Sequence, residues 1–305
     1  MAKQMIVREL PGAFQLFFVM QGSVVPKIIG RIIGAAILSI IIVSTDKFIW
    51  DLPEISISAM GIFGVALSLF LSFRNIAAYE RWWEARKLWG TMIADIRTLG
   101  RFIGIFAKDE STREKILSCA VAFAHLHRGN LRGVSALNSA SHWIGGENAA
   151  AMISFKNPAD AALRSMADQF QAAISAGLIS DVGQLRISEI LSSLGLSQAG
   201  CERIATTPLP YVYSLLVRRT TYIYCWLLPF GLIESTNWFA PVITAVVAYV
   251  FFGFLEITHE LEFPFKDVQN GLPLDAMCRT IEISVCEALE KPVPNNLSPT
   301  HYVLT

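Results

Sequence analysis

The chain has 305 residues, 53% of them apolar and only 16% charged, with a mean hydropathy of +0.47. About a quarter of an ordinary globular domain is charged, so the excess apolar surface here calls for lipid to cover it. Lys and Arg together number 25, as do Asp and Glu, which excludes an overall basic field for nucleic acid and an acidic tail.

In chain order, the N-terminal stretch carries Arg8 ahead of a short apolar patch at 14–20 with no small-residue cleavage site, and it reads as no cleaved signal peptide. A bilayer core of about 30 Å needs roughly 20 mostly apolar residues in a helix, because no backbone group is left unpaired in hydrocarbon. Four stretches meet that test. The first, 24–44, has Lys27 and Arg31 near its start, where long cationic side chains snorkel to the headgroups, and an Ile/Ala-rich remainder. The second, 55–73, has no charged side chain. Residues 74–210 are too polar for lipid but show helical spacing in Ile93, Ile96, Leu99, Phe102, Ile103 and Phe106. Breakers at Gly129, Gly133, Gly145-Gly146, Asn157-Pro158 and Gly177 divide this segment into four or five helices of a cytosolic bundle. The third span, 215–233, begins with Arg218 and Arg219 and holds Pro229, which predicts a kink. The fourth, 235–255, is uncharged; in the tail beyond, Pro264, Pro273, Pro292, Pro294 and Pro299 argue for partly extended chain and against a final long helix. The organisation is therefore 1–73 with two spans, 74–210 cytosolic, 211–256 with two spans, and a cytosolic segment 257–305.

Short connections set the orientation. Asp46, Asp51 and Glu54 face only Lys47 in one loop and Glu234 stands without a cation, whereas Lys27, Arg31, Arg74, Arg81, Arg86, Lys87, Arg218, Arg219 and Lys266 flank the opposite ends. The positive-inside rule then predicts a multi-pass protein of the cell membrane with both termini cytoplasmic. Trp50 and Trp238 suit the outer interface, and Trp82, Trp83 and Trp89 the inner one.

Catalytic signatures are absent: no GxSxG, GxxxxGK, HExxH or GxGxxG occurs, and no cofactor is implied. Cys119, Cys201, Cys225, Cys278 and Cys286 form no CxxC pair, so neither a disulfide framework nor a zinc site is signalled. His125 and His127 point about 200° apart on a helix and do not share a metal; His259, Glu260 and Glu262 read as a polar cluster at the inner interface, with cation binding as the sharper alternative. In the second span, Met60, Gly64, Ser68 and Ser72 recur every fourth residue as a stripe along which another helix approaches closely. Ile62, Ala66 and Phe70 recur on roughly the opposite face and, in several copies around an axis, would ring a narrow apolar neck; plain packing of both stripes is the simpler alternative, and an inverted arrangement with Ser68 and Ser72 lining a wetter pore is a further one.

The run Ser72-Phe-Arg-Asn-Ile-Ala-Ala-Tyr-Glu-Arg-Trp-Trp-Glu-Ala-Arg-Lys-Leu-Trp-Gly90 strongly resembles the signature region of the bestrophin family, particularly its bacterial branch. Gly22-Ser-Val-Val-Pro-Lys27 is similar to the family's approach to its first span, and the chain from Pro264 to Asp275 to the stretch after its fourth. The resemblance implies an all-α integral membrane protein, a homopentamer of four-span subunits with a cytosolic helical body around one central pore. It places the neck on Ile62, Ala66 and Phe70, where the family would hold a bulkier group in the middle, and an inner constriction at Leu178, Ile179 and Ser180, with Ile179 favoured and Asp181 capping the helix that follows. Animal members carry a run of acids after the fourth span that binds calcium; here Lys266, Asp267, Val268, Gln269 and Asn270 offer one carboxylate, so no calcium activation is expected. The implied function is a channel for small monovalent ions, with its own copies and the bilayer as partners and no metal. Rings of Asp46, Asp51, Glu54, Glu234 and Asp181 lean towards cations; an anion channel of the same fold, a secondary transporter using Pro229 and Pro241 to break its helices, and a membrane-anchored scaffold are the alternatives.

Overall fold

The computed structural model describes residues 22–268 and 270–299, so the expectations for Arg8, the 14–20 patch, Gln269 and the two termini lie outside the described residues. Among those described, ten α-helices, a 3-10 turn and one isolated antiparallel bridge between Ala107 and Ile179 make up the regular structure. The helices are α1 (Val25–Phe48), α2 (Ile57–Phe106), α3 (Glu110–Arg132), α4 (Leu137–Ile144), α5 (Gly146–Ile153), α6 (Pro158–Ser175), α7 (Asp181–Thr206), α8 (Tyr211–Thr236), α9 (Ala240–Leu261) and α10 (Leu274–Ala288). The all-helical expectation holds. Two compact units divide the described chain, one of residues 22–82 and 208–263 and the other of 83–207 and 264–299.

In the first unit, α1 and α9 run antiparallel: Lys27 pairs with Glu260 and Arg31 with Glu256 at one end, Ser39 meets Thr244 midway, and Phe48 meets Trp238 at the other. α8 and α9 form a second antiparallel pair through Tyr222–Phe252 and Tyr224–Phe251 ring contacts. α2 lies against α8 with Ile55 N–H on the Phe230 carbonyl, Phe63 edge-on to Tyr224 and the Tyr213 hydroxyl donating to the Phe70 carbonyl. Three stretches, Val25–Phe48, Ile57–Phe106 and Tyr211–Leu261, are long and apolar enough to cross a membrane, and most of each apolar window lies on the surface. That is the inverse of a water-soluble bundle, and it follows when the solvent is hydrocarbon.

The third stretch is two helices. α8 carries Pro229 inside it and ends at Asn237, whose positive φ of 54° and the 3-10 turn Asn237–Phe239 turn the chain into α9. The fourth apolar stretch therefore starts at Ala240 rather than 235, and α8 begins at Tyr211, directly after Pro210, so that Arg218 and Arg219 fall two turns inside it rather than at its start. α2 likewise continues without a break past residue 73, where the sequence suggested a change of segment.

In the second unit α3 supplies the core: of its residues from Ile116 to His127 every one is buried. Asp109 caps it by accepting from Thr112 N–H at 2.9 Å, and Gly133 ends it in the left-handed region at φ 67°. Gly145, Asn157 and Gly177 are boundaries as their sequence implies, giving five helices between α2 and α8. Gly129 is no breaker: it lies within α3, where a Cβ would meet the Val134 carbonyl at 2.7 Å, so it allows a close approach of backbone. The tail differs from expectation, since Pro273 stands at the start of the fifteen-residue helix α10. A proline at a helix N-terminus costs no hydrogen bond, and this one starts the helix instead of preventing it.

Candidate functional site

The face of α2 that the first unit leaves uncovered is apolar. Ile62 is 74% exposed and Phe70 50%, one turn to either side of a half-buried Ala66. Val65, Leu69 and Phe73 are exposed beside them. The opposite side, carrying Met60, Leu67, Leu71 and Arg74, is buried. The small-residue stripe is thus split: Met60 is buried and Gly64 sits so close to Tyr224 that a Cβ would meet its hydroxyl at 2.7 Å, whereas Ser68 and Ser72 are exposed. The Ser68 hydroxyl donates to the Val65 carbonyl of its own helix at 2.8 Å.

The four acidic groups Asp46, Asp51, Glu54 and Glu234 come to the Trp238 end of the first unit, on α1, on the connection to α2 and at the end of α8. Asp51, Glu54 and Glu234 are exposed, while Asp46 is half-buried and accepts from Leu52 N–H at 3.0 Å, which fixes the connection. Lys47, the one cation of that loop, lies over the Trp238 ring at 5.2 Å. At the other end Arg74, buried, donates to Glu262 at 3.2 Å, Arg81 Nε donates to the Glu262 carbonyl at 2.9 Å, and Thr258 donates to Asn75 at 3.3 Å. Of the cluster His259, Glu260 and Glu262, the two carboxylates pair with Lys27 and Arg74, and no metal-holding group of three occurs among the described residues.

In the second unit, Ile179 is only 6% exposed and its backbone bridges Ala107, Leu178 is half-buried and Ser180 is exposed. Ser180, not Asp181, caps α7, accepting from Gly183 N–H at 3.3 Å; Asp181 is the helix's first residue and is exposed. The larger apolar surface at this point belongs to Val182 and Leu185, 63% and 61% exposed. Sequence reasoning passed over them, and the Ser180 cap followed by Val182 was the available signal. Trp89, expected at a membrane interface, is fully buried, stacked on His127 at 5.6 Å. His127 stacks on Phe123 as well, and burial pushes its imidazole down to about 3, so it stays neutral. His125 turns the other way onto Glu282 at 2.7 Å, so the two histidines do not converge.

Residues 5–287 match the family described as bacterial/fungal bestrophin protein. The chain belongs to the bestrophin family. It is 47% identical over 294 residues to a voltage-dependent anion channel-forming protein of Mesorhizobium japonicum, covering 96% of this chain and 95% of that one. Against the voltage-dependent anion channel-forming protein YneE of Escherichia coli K12 it is 33% identical over 304 residues, 99% of this chain and all of that one. The crystal structure of a bacterial bestrophin homologue from Klebsiella pneumoniae matches with a TM-score of 0.83 at 31% identity, covering 87% of this chain and 99% of that one. Relatives along the whole length thus carry channel-forming names, and this bestrophin's fold, with helices long and apolar enough to cross a membrane, matches that of the Klebsiella homologue. The bestrophin-like run 72–90 holds its neighbours in place: Arg74, Asn75 and Arg81 tie to residues 258–262, Glu84 pairs with Arg203 at 2.5 Å, and Trp89 packs in the core.

Proposed function

We propose that the chain assembles as a homopentamer in the cell membrane and passes small monovalent ions down their gradient through a central pore. The observation that carries this reading is the uncovered apolar face of α2, with Ile62 and Phe70 exposed in a helix whose other side is fully packed. Around an axis that face forms an apolar neck of the kind that gates by dewetting, with Ala66 as its widest ring. The four helices α1, α2, α8 and α9 each cross once, both termini lie in the cytoplasm, and a second constriction lies at Leu178 to Ser180, extended by Val182 on the first turn of α7. Burial of Ile179 favours Ser180 and Val182 as the groups that face ions there.

Selectivity has two readings. Asp51, Glu54 and Glu234, exposed at one end with only Lys47 opposing, and exposed Asp181 near the constriction support cations, because five-fold acidic rings raise local cation concentration. The names of the relatives, voltage-dependent anion channel-forming proteins, support anions. Mass measurement of the purified particle tests the pentamer, and a monomer or tetramer contradicts it. The reversal potential in a tenfold KCl gradient decides the sign: the cation reading predicts a shift towards the potassium equilibrium potential, the anion reading the opposite.

A further inference from the structure

At the Glu260 end of the first unit, a cavity of about 300 Å³ opens beside the start of α8 and the end of α9. Arg74 lines it and is 1% exposed; its Nη2 reaches Glu262, but Nε and Nη1 have no partner among the described residues. The Ser214 hydroxyl on the same cavity is also buried without a partner among the described residues. A guanidinium offers five N–H donors in a fixed fork, and a buried one with its capacity unfilled is rare outside a site that something completes. Arg218, exposed at the rim, adds a second cation, so two arginines face the single carboxylate of Glu262, beside His259, whose ring stands edge-on to Phe263. Pro208, Leu209 and Leu215 add apolar wall, and Tyr211 completes the lining.

Excess guanidinium charge, an unfilled hydroxyl and apolar walls fit an oxyanion with an apolar shoulder. The cavity's place at the cationic end of the spanning helices puts it at headgroup level, where anionic lipids concentrate; this rests on the proposed reading that the first unit crosses a bilayer. We propose that this cavity binds the phosphate group of an anionic phospholipid, held between Arg218 and Ser214 above the buried Arg74.

The test uses the delipidated full chain in detergent, titrated with phosphatidylglycerol or phosphatidylcholine and followed by native mass spectrometry. Phosphatidylglycerol is expected to bind at least tenfold more tightly than phosphatidylcholine, and Arg218→Gln and Ser214→Ala each to weaken it at least fivefold at unchanged particle mass. Arg218 is exposed, so its variant keeps the fold even if changes at Arg74 do not. Displacement of phosphatidylglycerol by millimolar inorganic phosphate would support the same site with free phosphate as a further source. Equal binding of the two lipids, or equal phosphatidylglycerol binding by wild type and both variants, overturns the proposal. Current recorded from the same preparation separates the two readings: conduction without lipid preference sinks the site alone, whereas no insertion and no conduction sinks the channel reading with it.

Discussion

Single residues set both the barrier and the stability of this bestrophin. In the proposed pentamer, with Ile62 and Phe70 one turn to either side, Ala66 would line the middle ring with methyl groups only and so shorten the dry stretch an ion crosses. Ala66→Ile is expected to lower conduction several-fold at matched particle yield; equal or greater conduction would move the limiting barrier to Ser180 and Val182. His127 sets a different effect. Its folded pKa of about 3 lies below the unfolded value near 6.5, so both states are neutral above 6.5 and only the unfolded chain takes a proton as pH falls below it. Stability should fall by about 2 kcal/mol between pH 7 and 5 on this account, and His127→Leu should remove that share of the slope in unfolding measured at the two pH values. The pattern of histidines in the sequence showed that the pair does not share a metal, but not that one is a neutral core ring between Trp89 and Phe123, because burial depends on how α2 and α3 meet.

At the scale of elements, apolar length and turn residues made most helices legible: α1 and α2 from their uncharged runs, and the ends of α3, α5 and α6 from Gly133, Gly145 and Asn157. What was not legible were events that sequence punctuation does not mark. α2 runs on past residue 73 because the change from lipid-facing to packed surroundings leaves helix propensity untouched, and α10 forms because Pro273 sits at its start. The first turn of α7 is pinned the same way, by contact: a Cβ on Gly183 would meet Phe106 Cβ at 2.7 Å and Ile179 at 3.0 Å. Gly183→Ala should therefore cost about 1–3 kcal/mol through overpacking despite better helix propensity. Gly104→Ala, with nothing within 4 Å of its Cβ, should gain up to about 1 kcal/mol, and the two melting midpoints should shift in opposite directions. α3 and α10 are joined by Asp275, which accepts from Arg128 and from Arg132 at 2.6 Å. Burial raises its pKa, but the Arg132 hydrogen bond and the two guanidinium charges hold it below the usual carboxylate range. That contribution is present above about pH 4 and lost as pH falls through the folded pKa. Asp275→Asn should cost about 2 kcal/mol at pH 7 and progressively less as pH falls below about 4, read as the difference in unfolding midpoint from the wild type.

Apolar surface on α1, α2, α8 and α9 stays uncovered by the described residues of one chain. Lipid accounts for the uncovered faces of α1 and α9, and the proposed pentamer accounts for that of α2. The family was legible in the run 72–90 because its residues, Arg74, Asn75, Arg81 and Trp89, make specific polar and core contacts that few other side chains satisfy. The sign of selectivity was less so, since in the proposed pentamer it depends on how acidic groups on separate connections converge around the axis. Conduction through a pore is read without intermediary in single-channel recording in planar bilayers. Discrete, ohmic current steps from the purified particle, smaller or rarer in Ala66→Ile, are expected; saturating, stepless flux or no current at all would rule the pore out.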